Sequence, residues 1–390
     1  MDMAKSSKKI NAIFTGKLNK MKKILFVSNT ANFSKFNKPY MKWCSENGWK
    51  VDYCAPNDEI VTECKNHITL PIPRSPFSKG IFNCIKNLRK ILEKEQYDII
   101  HCHTPMGAVI ARLAARKLFK QKKVKIIYTA HGFHFYKGAP LLNWLLFYPV
   151  EKFLLRYTDV LITINKEDYN YSLAKFSKYT KVMFMNGVGV NLNRFSKVSN
   201  EENQGIRNDL GYKQDDFLIT VVAELNVNKN QIMLINSLPE LKQRIPNLKV
   251  LFLGKESLTI ARNRVTELNL ANICEFLGYR KDVELFTKIS NVCFSASLRE
   301  GLPVNIIEAM ACGKVCICST NRGHNSLLRD NENGLLFDPK DSAKMILDIV
   351  SVYNDEKLAN RLAEQAYIDS KQYAVEEAVA FMANVYRDLI

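Results

Sequence analysis

Glu300 and Glu308 stand on either side of Gly301-Leu302-Pro303 in the stretch SLREGLPVNIIEAMACGKV, residues 297–315. A carboxylate accepts hydrogen bonds from hydroxyl groups and repels phosphate. Gly301 permits an unusual turn, and Pro303 suits the first position of a helix. A helix through VNIIEAMAC, ended by Gly313, would begin at that proline. Its start would offer free backbone N–H groups and a partial positive charge, which suit a diphosphate. Amides for a diphosphate and acids for two sets of hydroxyls would fit a nucleotide sugar. A plain β-turn-α unit gives the same local pattern, because helix starts favour acids anyway. The local residues leave both readings open.

The surrounding elements decide where such a site would lie. KKILFVSN (22–29), KVDYCAP (50–56), YDIIHCHT (97–104), KIIYTAHG (125–132) and DVLITIN (159–165) read as buried strands with helical stretches between them. A polar stretch, 196–216, follows. A second series then begins: FLITVVAEL (217–225), LKVLFLGK (248–255), ICEFLGY (273–279), NVCFSAS (291–297) and KVCICST (314–320). Strand–helix alternation implies parallel sheets covered on both faces. The spacing therefore predicts an α/β protein of two doubly wound domains facing across a cleft, with ligands beyond the strands' carboxyl ends. Glu300 falls in such a loop, after NVCFSAS. The last segment, AVEEAVAFMANVYRDLI (374–390), has helical apolar spacing.

Charge is distributed unevenly. Residues 1–195 hold 33 Lys and Arg against 13 Asp and Glu, a net of +20, while residues 196–390 hold 23 against 26. Residues 101–150 carry eight basic side chains and no acid. Such a half suits an acidic partner, although a solvated basic face would look the same. Nucleic acid would call for base-stacking aromatics in a basic groove, and the sequence shows none. No apolar run approaches the roughly 20 residues of a membrane-spanning helix. The basic start, residues 1–20, lacks a signal-peptide core, and MKKILFV from Met21 would make a natural start of its own. The ten cysteines sit mostly in apolar runs and read as small buried thiols.

At a larger scale the motifs have a known counterpart. E-G-L-P-x-x-x-x-E-A-M-A-C-G resembles the E-x7-E signature of retaining glycosyltransferases of family 4, which have the GT-B fold. AELNVNKNQ (223–231), FLGYRKDVELF (276–286) and STNRGHNSLLRDNENGLLFDP (319–339) resemble that family's donor-binding segments. DIIHCHTP, IIYTAHGFHFYKGAP, YPVEKFLLRYTDVLITINKED and GVGVNLNRF resemble enzymes of bacterial capsule and exopolysaccharide synthesis. The resemblance covers about residues 22–390.

It implies residue roles. Glu308 would bind the donor ribose and Glu300 the donor sugar. Lys229 would neutralise the diphosphate, with backbone at Leu302, Pro303 and Val304 cradling it. Tyr279 and Arg280 lie where the base is gripped, and His131 lies beside the reacting centre, near the acceptor. The implied domains are 21–196 for the acceptor and 197–372 for the donor, with a helix at 373–390 able to cross back. The implied reaction is retaining, cofactor-free and metal-independent hexosyl transfer. It would run from a nucleotide sugar, a UDP-sugar, to a polyprenyl-diphosphate-linked saccharide. A GT-B-fold nucleotide-sugar epimerase is the alternative, recognisable by activity without acceptor. The implied location is cytoplasmic, peripheral on the inner face of the plasma membrane. Two departures stand out. Glu224 occupies the position where many family members carry a second diphosphate-binding arginine, leaving Arg299 and Arg322 as candidates. SNTANFSKFNKPYM (28–41) replaces the N-terminal Gly-Gly loop.

His101 and His103 lie two apart on a strand and share a face, as a metal pair would, yet no third ligand is evident. A structural or substrate-facing role is the expectation. His134 and His324 are undecided. HFYKGAPLLNWLLFYPVEKFLLRY (134–157) is apolar and aromatic, with Lys137, Lys152 and Arg156 around it. It is either a core helix or an interfacial segment with Trp144, Phe147 and Tyr148 at headgroup level on an anionic membrane.

Overall fold

The computed structural model describes residues 21–56, 61–257 and 259–390; the basic extension expected at 1–20 lies outside the described residues. Its strands are β1 (Lys23–Val27), β2 (Lys50–Ala55), β3 (Asn66–Thr69), β4 (Ile99–His103), β5 (Lys125–Ala130), β6 (Val160–Thr163) and β7 (Lys181–Phe184). A second series comprises β8 (Phe217–Val222), β9 (Leu248–Leu253), β10 (Cys274–Gly278), β11 (Val292–Ser295), β12 (Val315–Ser319) and β13 (Leu335–Phe337).

The first sheet runs β3-β2-β1-β4-β5-β6-β7 and the second β10-β9-β8-β11-β12-β13. All five pairings in the second sheet are parallel. In both sheets the order reverses beside the first strand, at β1/β4 and β8/β11, which is the doubly wound pattern expected from the alternation. Central strands are mostly apolar because helices cover both faces. All five residues of β12 are buried, for example. The core of the second sheet gathers Ile219, Val250, Phe252, Phe294, Ile317 and Phe337 with the helix Gln231–Arg244.

The chain divides into two compact units. One holds the residues up to Thr129 with Leu154–Val160 and Val385–Ile390; the other holds Ala130–Phe153 and Leu161–Asn384. The chain's end is fixed within the first unit by aromatic packing. Tyr386 lies 6.2 Å from Trp43 and 6.0 Å from Trp49, ring to ring, and the Arg387 guanidinium sits 5.1 Å over Trp43. Tyr386 also explains one of the paired histidines. His101 Nδ1 is 2.8 Å from Tyr386 Oη, and its Nε2 is 2.8 Å from Thr129 Oγ1. Both ring nitrogens of His101 are thus engaged inside the core. Nine of the ten cysteines are buried and all ten are free thiols, as expected. No helix among the described residues is long and apolar enough to cross a membrane.

Candidate active site

The loop that carries Glu300 lies at the β8/β11 switch point, and the geometry there is built by two loops. Beyond β8, Asn226 Oδ1 accepts from Lys229 N at 3.0 Å and caps the short 3-10 turn Val227–Lys229. Asn230 takes a left-handed conformation, φ 51°, which asparagine tolerates, and starts the helix Gln231–Arg244. Beyond β11, Leu298 N donates to Asn228 O at 2.8 Å, and Asn228 Nδ2 donates to Arg299 O at 3.1 Å. These two bonds bring the loops into register. As a result Lys229 Nζ lies 2.5 Å from Glu300 Oε1, with both side chains mostly covered. The cation and the sugar-contacting acid expected from the motifs are one ion pair.

Gly301 is required by close approach. A Cβ there would lie 2.3 Å from the His131 carbonyl oxygen, so any side chain would push apart the 131–133 loop and the 300–303 loop. The same two loops are tied by Arg322. Its Nη1 donates to Asp168 Oδ1 at 3.0 Å, Nη2 to Phe133 O at 3.1 Å and Nε to Glu300 O at 3.3 Å. Its guanidinium stacks 4.7 Å over Tyr136. The Arg322 and Asp168 side chains are 8% and 3% exposed. Asp168 Oδ2 accepts from Phe133 N at 3.0 Å and from Asn165 Nδ2 at 2.8 Å. Burial pushes the Asp168 carboxyl above its ordinary value, and Arg322 opposes that shift.

The helix Val304–Ala311 starts one residue later than expected. Pro303 precedes it with φ −78° and ψ 99°, an extended residue at the cap position, and no side chain caps the helix. Asn305 Nδ2 donates to Val222 O at 3.0 Å, so the first turn is fixed to the end of β8. The helix start therefore points at the same switch point as Lys229. Leu302 and Val304 are half-buried and Pro303 is buried; Glu308 is half-buried one turn into the helix. The positions expected to grip the base, Tyr279 and Arg280, follow β10. Tyr279 is 76% exposed. Arg280 is held by Asp282 at 2.8 and 2.5 Å, so its guanidinium is already paired.

His131 opens the loop after β5, and burial pushes its imidazole down to about 3. It is therefore neutral at ordinary pH. His324, undecided from sequence, is fully buried, and burial pushes it down to about 4. Its Nδ1 is 2.6 Å from the Ser319 carbonyl oxygen and 2.8 Å from Asn321 Nδ2. Between an unfolded value near 6.5 and these folded values, the unfolded chain binds protons that the folded chain does not. Stability should thus be fully present above pH ~6.5 and fall as pH drops toward ~4, by up to about 1.4 kcal/mol per pH unit for each histidine. Urea midpoints measured from pH 7 to 5 test this. A falling midpoint that flattens in His324→Gln is expected; a midpoint independent of pH would contradict it.

The aromatic stretch forms the helix Leu141–Leu154, in which Trp144, Phe147 and Tyr148 are half-buried. Trp144 and Tyr148 lie 5.5 Å from Phe135, ring to ring, and both also pack on Tyr171. Phe147 lies 4.7 Å from the ring of His134. Each of these three half-buried aromatics thus has a ring face against a neighbouring ring. The face left bare is apolar and mostly aliphatic: Leu141 at 73%, Leu142 at 62% and Leu145 at 65%, with Leu146, Val150 and the single aromatic Phe153. Lys137 is exposed in the preceding loop, its backbone N donating to Glu167 Oε1 at 3.2 Å.

Sequence reasoning missed Asp168 and the roles of Asn226 and Asn228. The signal for Asp168 was a capping pattern: Asn165 Oδ1 accepts from Asp168 N at 2.8 Å at the start of the helix Lys166–Phe176. Its pairing with Arg322 had no local signal.

Two parallel Rossmann-like sheets, with paired loops and a helix start at the second switch point, have the architecture of the GT-B fold. The model of glycosyl transferases group 1 matches residues 202–369, and that of glycosyl transferase 4-like proteins matches residues 23–165. The putative glycosyltransferase EpsD of Bacillus subtilis (strain 168) is 39% identical over 368 residues, covering 94% of this chain and 96% of that one. The chain belongs to glycosyltransferase family 4. The UDP-Gal:alpha-D-GlcNAc-diphosphoundecaprenol alpha-1,3-galactosyltransferase of Escherichia coli is 28% identical over 324 residues, covering 81% of this chain and 80% of that one. Among solved structures, Anabaena HepE in complex with UDP and glucose matches with a TM-score of 0.77 at 18% identity, over 94% of this chain and 100% of that one.

Proposed function

We propose that this glycosyltransferase moves a hexose from a UDP-sugar to a polyprenyl-diphosphate-linked saccharide, with retention and without a bound metal, in capsule or exopolysaccharide synthesis. The observation that carries the reading is the Lys229–Glu300 pair, 2.5 Å apart, beside the start of the helix Val304–Ala311. On donor binding, Lys229 turns from Glu300 to the diphosphate, which also meets the amides at 302–304. Glu300 is thereby released to accept a sugar hydroxyl, and Glu308 accepts from the ribose. Tyr279 offers a bare ring to the base. Charge stabilisation of the leaving diphosphate, rather than a protein nucleophile, carries the step. His131, being neutral, acts as a hydrogen-bonding group.

The second cation is assigned to Arg299. Arg322 is spent on Asp168 and two carbonyls. Glu224 turns its carboxylate to the Ser257 hydroxyl. Arg299 is exposed, and its carbonyl is held at the loop beside Lys229. The reading keeps residues 21–196 as the acceptor part and 197–372 as the donor part. It places the enzyme on the inner face of the plasma membrane, with the bare leucines of the helix Leu141–Leu154 toward lipid.

The test is a panel of nucleotide sugars given to the purified protein with a polyprenyl-diphosphate-linked acceptor and a chelator. Transfer from a UDP-sugar with the anomeric configuration kept is expected. Epimerised nucleotide sugar in the absence of acceptor would favour the epimerase; a requirement for divalent metal would contradict the metal-free step.

A further inference from the structure

The connection from β3 into the helix Ile81–Glu95 carries a surface that the transfer reaction does not use. From Lys65 to Leu92 the chain has six Lys and Arg and no Asp or Glu. Within this stretch lie the two most exposed large apolar side chains described, Phe82 at 83% and Phe77 at 77%. The helix turns Cys84, Leu88 and Leu92 inward. Phe82, Lys86 and Arg89 follow one another at helical spacing on the opposite side. Arg74 and Lys79 flank Phe77 in the preceding loop, and Lys90 extends the helical row; all are exposed. None of Arg74, Lys79, Lys86, Arg89 and Lys90 has a carboxylate partner among the described residues.

A single bare phenylalanine would need no explanation. Two of them amid five unpaired cations, with no acid for more than two dozen residues, make a different surface. Unpaired like charges repel one another, and bare rings order water. Both costs are relieved by one occupant, an anionic bilayer. Phosphates neutralise the cations while the rings enter the boundary between headgroups and acyl chains. Nucleic acid would satisfy the cations, but stacking calls for a row of aromatics tracking a strand, and this stretch exposes only Phe77 and Phe82.

We infer that Phe77 and Phe82, with Arg74, Lys79, Lys86, Arg89 and Lys90, form a docking surface for anionic phospholipid. The inference draws its purpose from the lipid-linked acceptor proposed above, but its test does not depend on that acceptor. Full-length protein is floated with vesicles of phosphatidylglycerol and phosphatidylcholine, and with phosphatidylcholine alone. Binding to the anionic vesicles only, weakened by salt, is expected. Phe77→Ser/Phe82→Ser should lower that affinity at least about tenfold. Phe77→Trp/Phe82→Trp should preserve it, because tryptophan suits the interface. Lys86→Glu/Arg89→Glu should remove most of the salt-sensitive part. Both phenylalanines are bare, so the serine variant should melt as the parent does and keep its transfer to a short-chain soluble acceptor.

Anionic-vesicle binding unchanged in the folded serine variant would overturn the inference. So would no binding by the parent, self-association that the serine variant abolishes, or oligonucleotide binding that displaces the vesicles. Failure of transfer to the soluble acceptor by the parent would count against the proposed reaction alone and leave vesicle binding as the measure of this surface.

Discussion

Lys229→Ala is expected to lower kcat/KM by roughly 10²–10³-fold, about 2.7–4 kcal/mol of transition-state stabilisation. Two effects act in the same direction. The variant loses the ammonium that would meet the leaving diphosphate, a role suited to a compact point charge. It also leaves Glu300, whose side chain is only 14% exposed, without its counter-charge at 2.5 Å. That unpaired carboxylate would then repel the incoming diphosphate. The pair should therefore couple. Adding Glu300→Gln to Lys229→Ala should restore part of the UDP affinity, although sugar transfer stays low because the glutamine replaces the donor-sugar contact. Calorimetry of UDP binding to the parent, both single variants and the double variant measures this coupling. Additive losses would separate Lys229 and Glu300 into independent roles.

Arg322→Ala should have the largest effect on stability. Asp168 is 3% exposed, and Arg322 is the cation paired with it among the described residues. Breaking one half of a buried ion pair costs about 3–5 kcal/mol. Three of the hydrogen bonds joining residues 131–133, 168 and 300 would go at once. A fall in Tm on the order of 5–10 °C is expected. Arg322→Ala/Asp168→Asn should recover part of it, since the second change removes the uncompensated charge. Arg322→Lys should fall between, because an ammonium cannot make the same fork of contacts. Activity should fall further than stability explains, as the Glu300 carbonyl and the His131 loop lose their common tie. A melting temperature equal to the parent's would show that the pair does not hold the loops.

How much of this was legible depended on distance along the chain. The central strands were readable because parallel strands covered on both faces are continuous apolar runs, as in FLITVV and VCICS. β3, β7 and β13 were missed. They have four, four and three residues and lie at sheet edges, where apolar pattern is weak. The E-x7-E stretch was readable as a loop and helix start, and the family resemblance supplied Lys229. The direct contact of Lys229 with Glu300 was not readable, since it depends on Asn228 bridging two loops. The Arg322–Asp168 tie joins residues 154 apart, with no local pattern to mark it.

The helix Leu141–Leu154 was left between two readings for a different reason. Its sequence is apolar all round, so periodicity could not say which face is buried. Packing on Phe135 and Tyr171 decided it, turning Trp144 and Tyr148 inward and leaving leucines outside. Arg280 shows the converse. Its partner Asp282 is two residues away, so the pairing was open to a local reading.

The most direct measurement is a crystal structure of the protein with UDP. The account predicts the diphosphate between Lys229 and the start of the helix Val304–Ala311, with the Lys229–Glu300 contact broken and Glu308 on the ribose hydroxyls. UDP bound away from the β8/β11 switch point, or bound there with Lys229 still on Glu300, would contradict it.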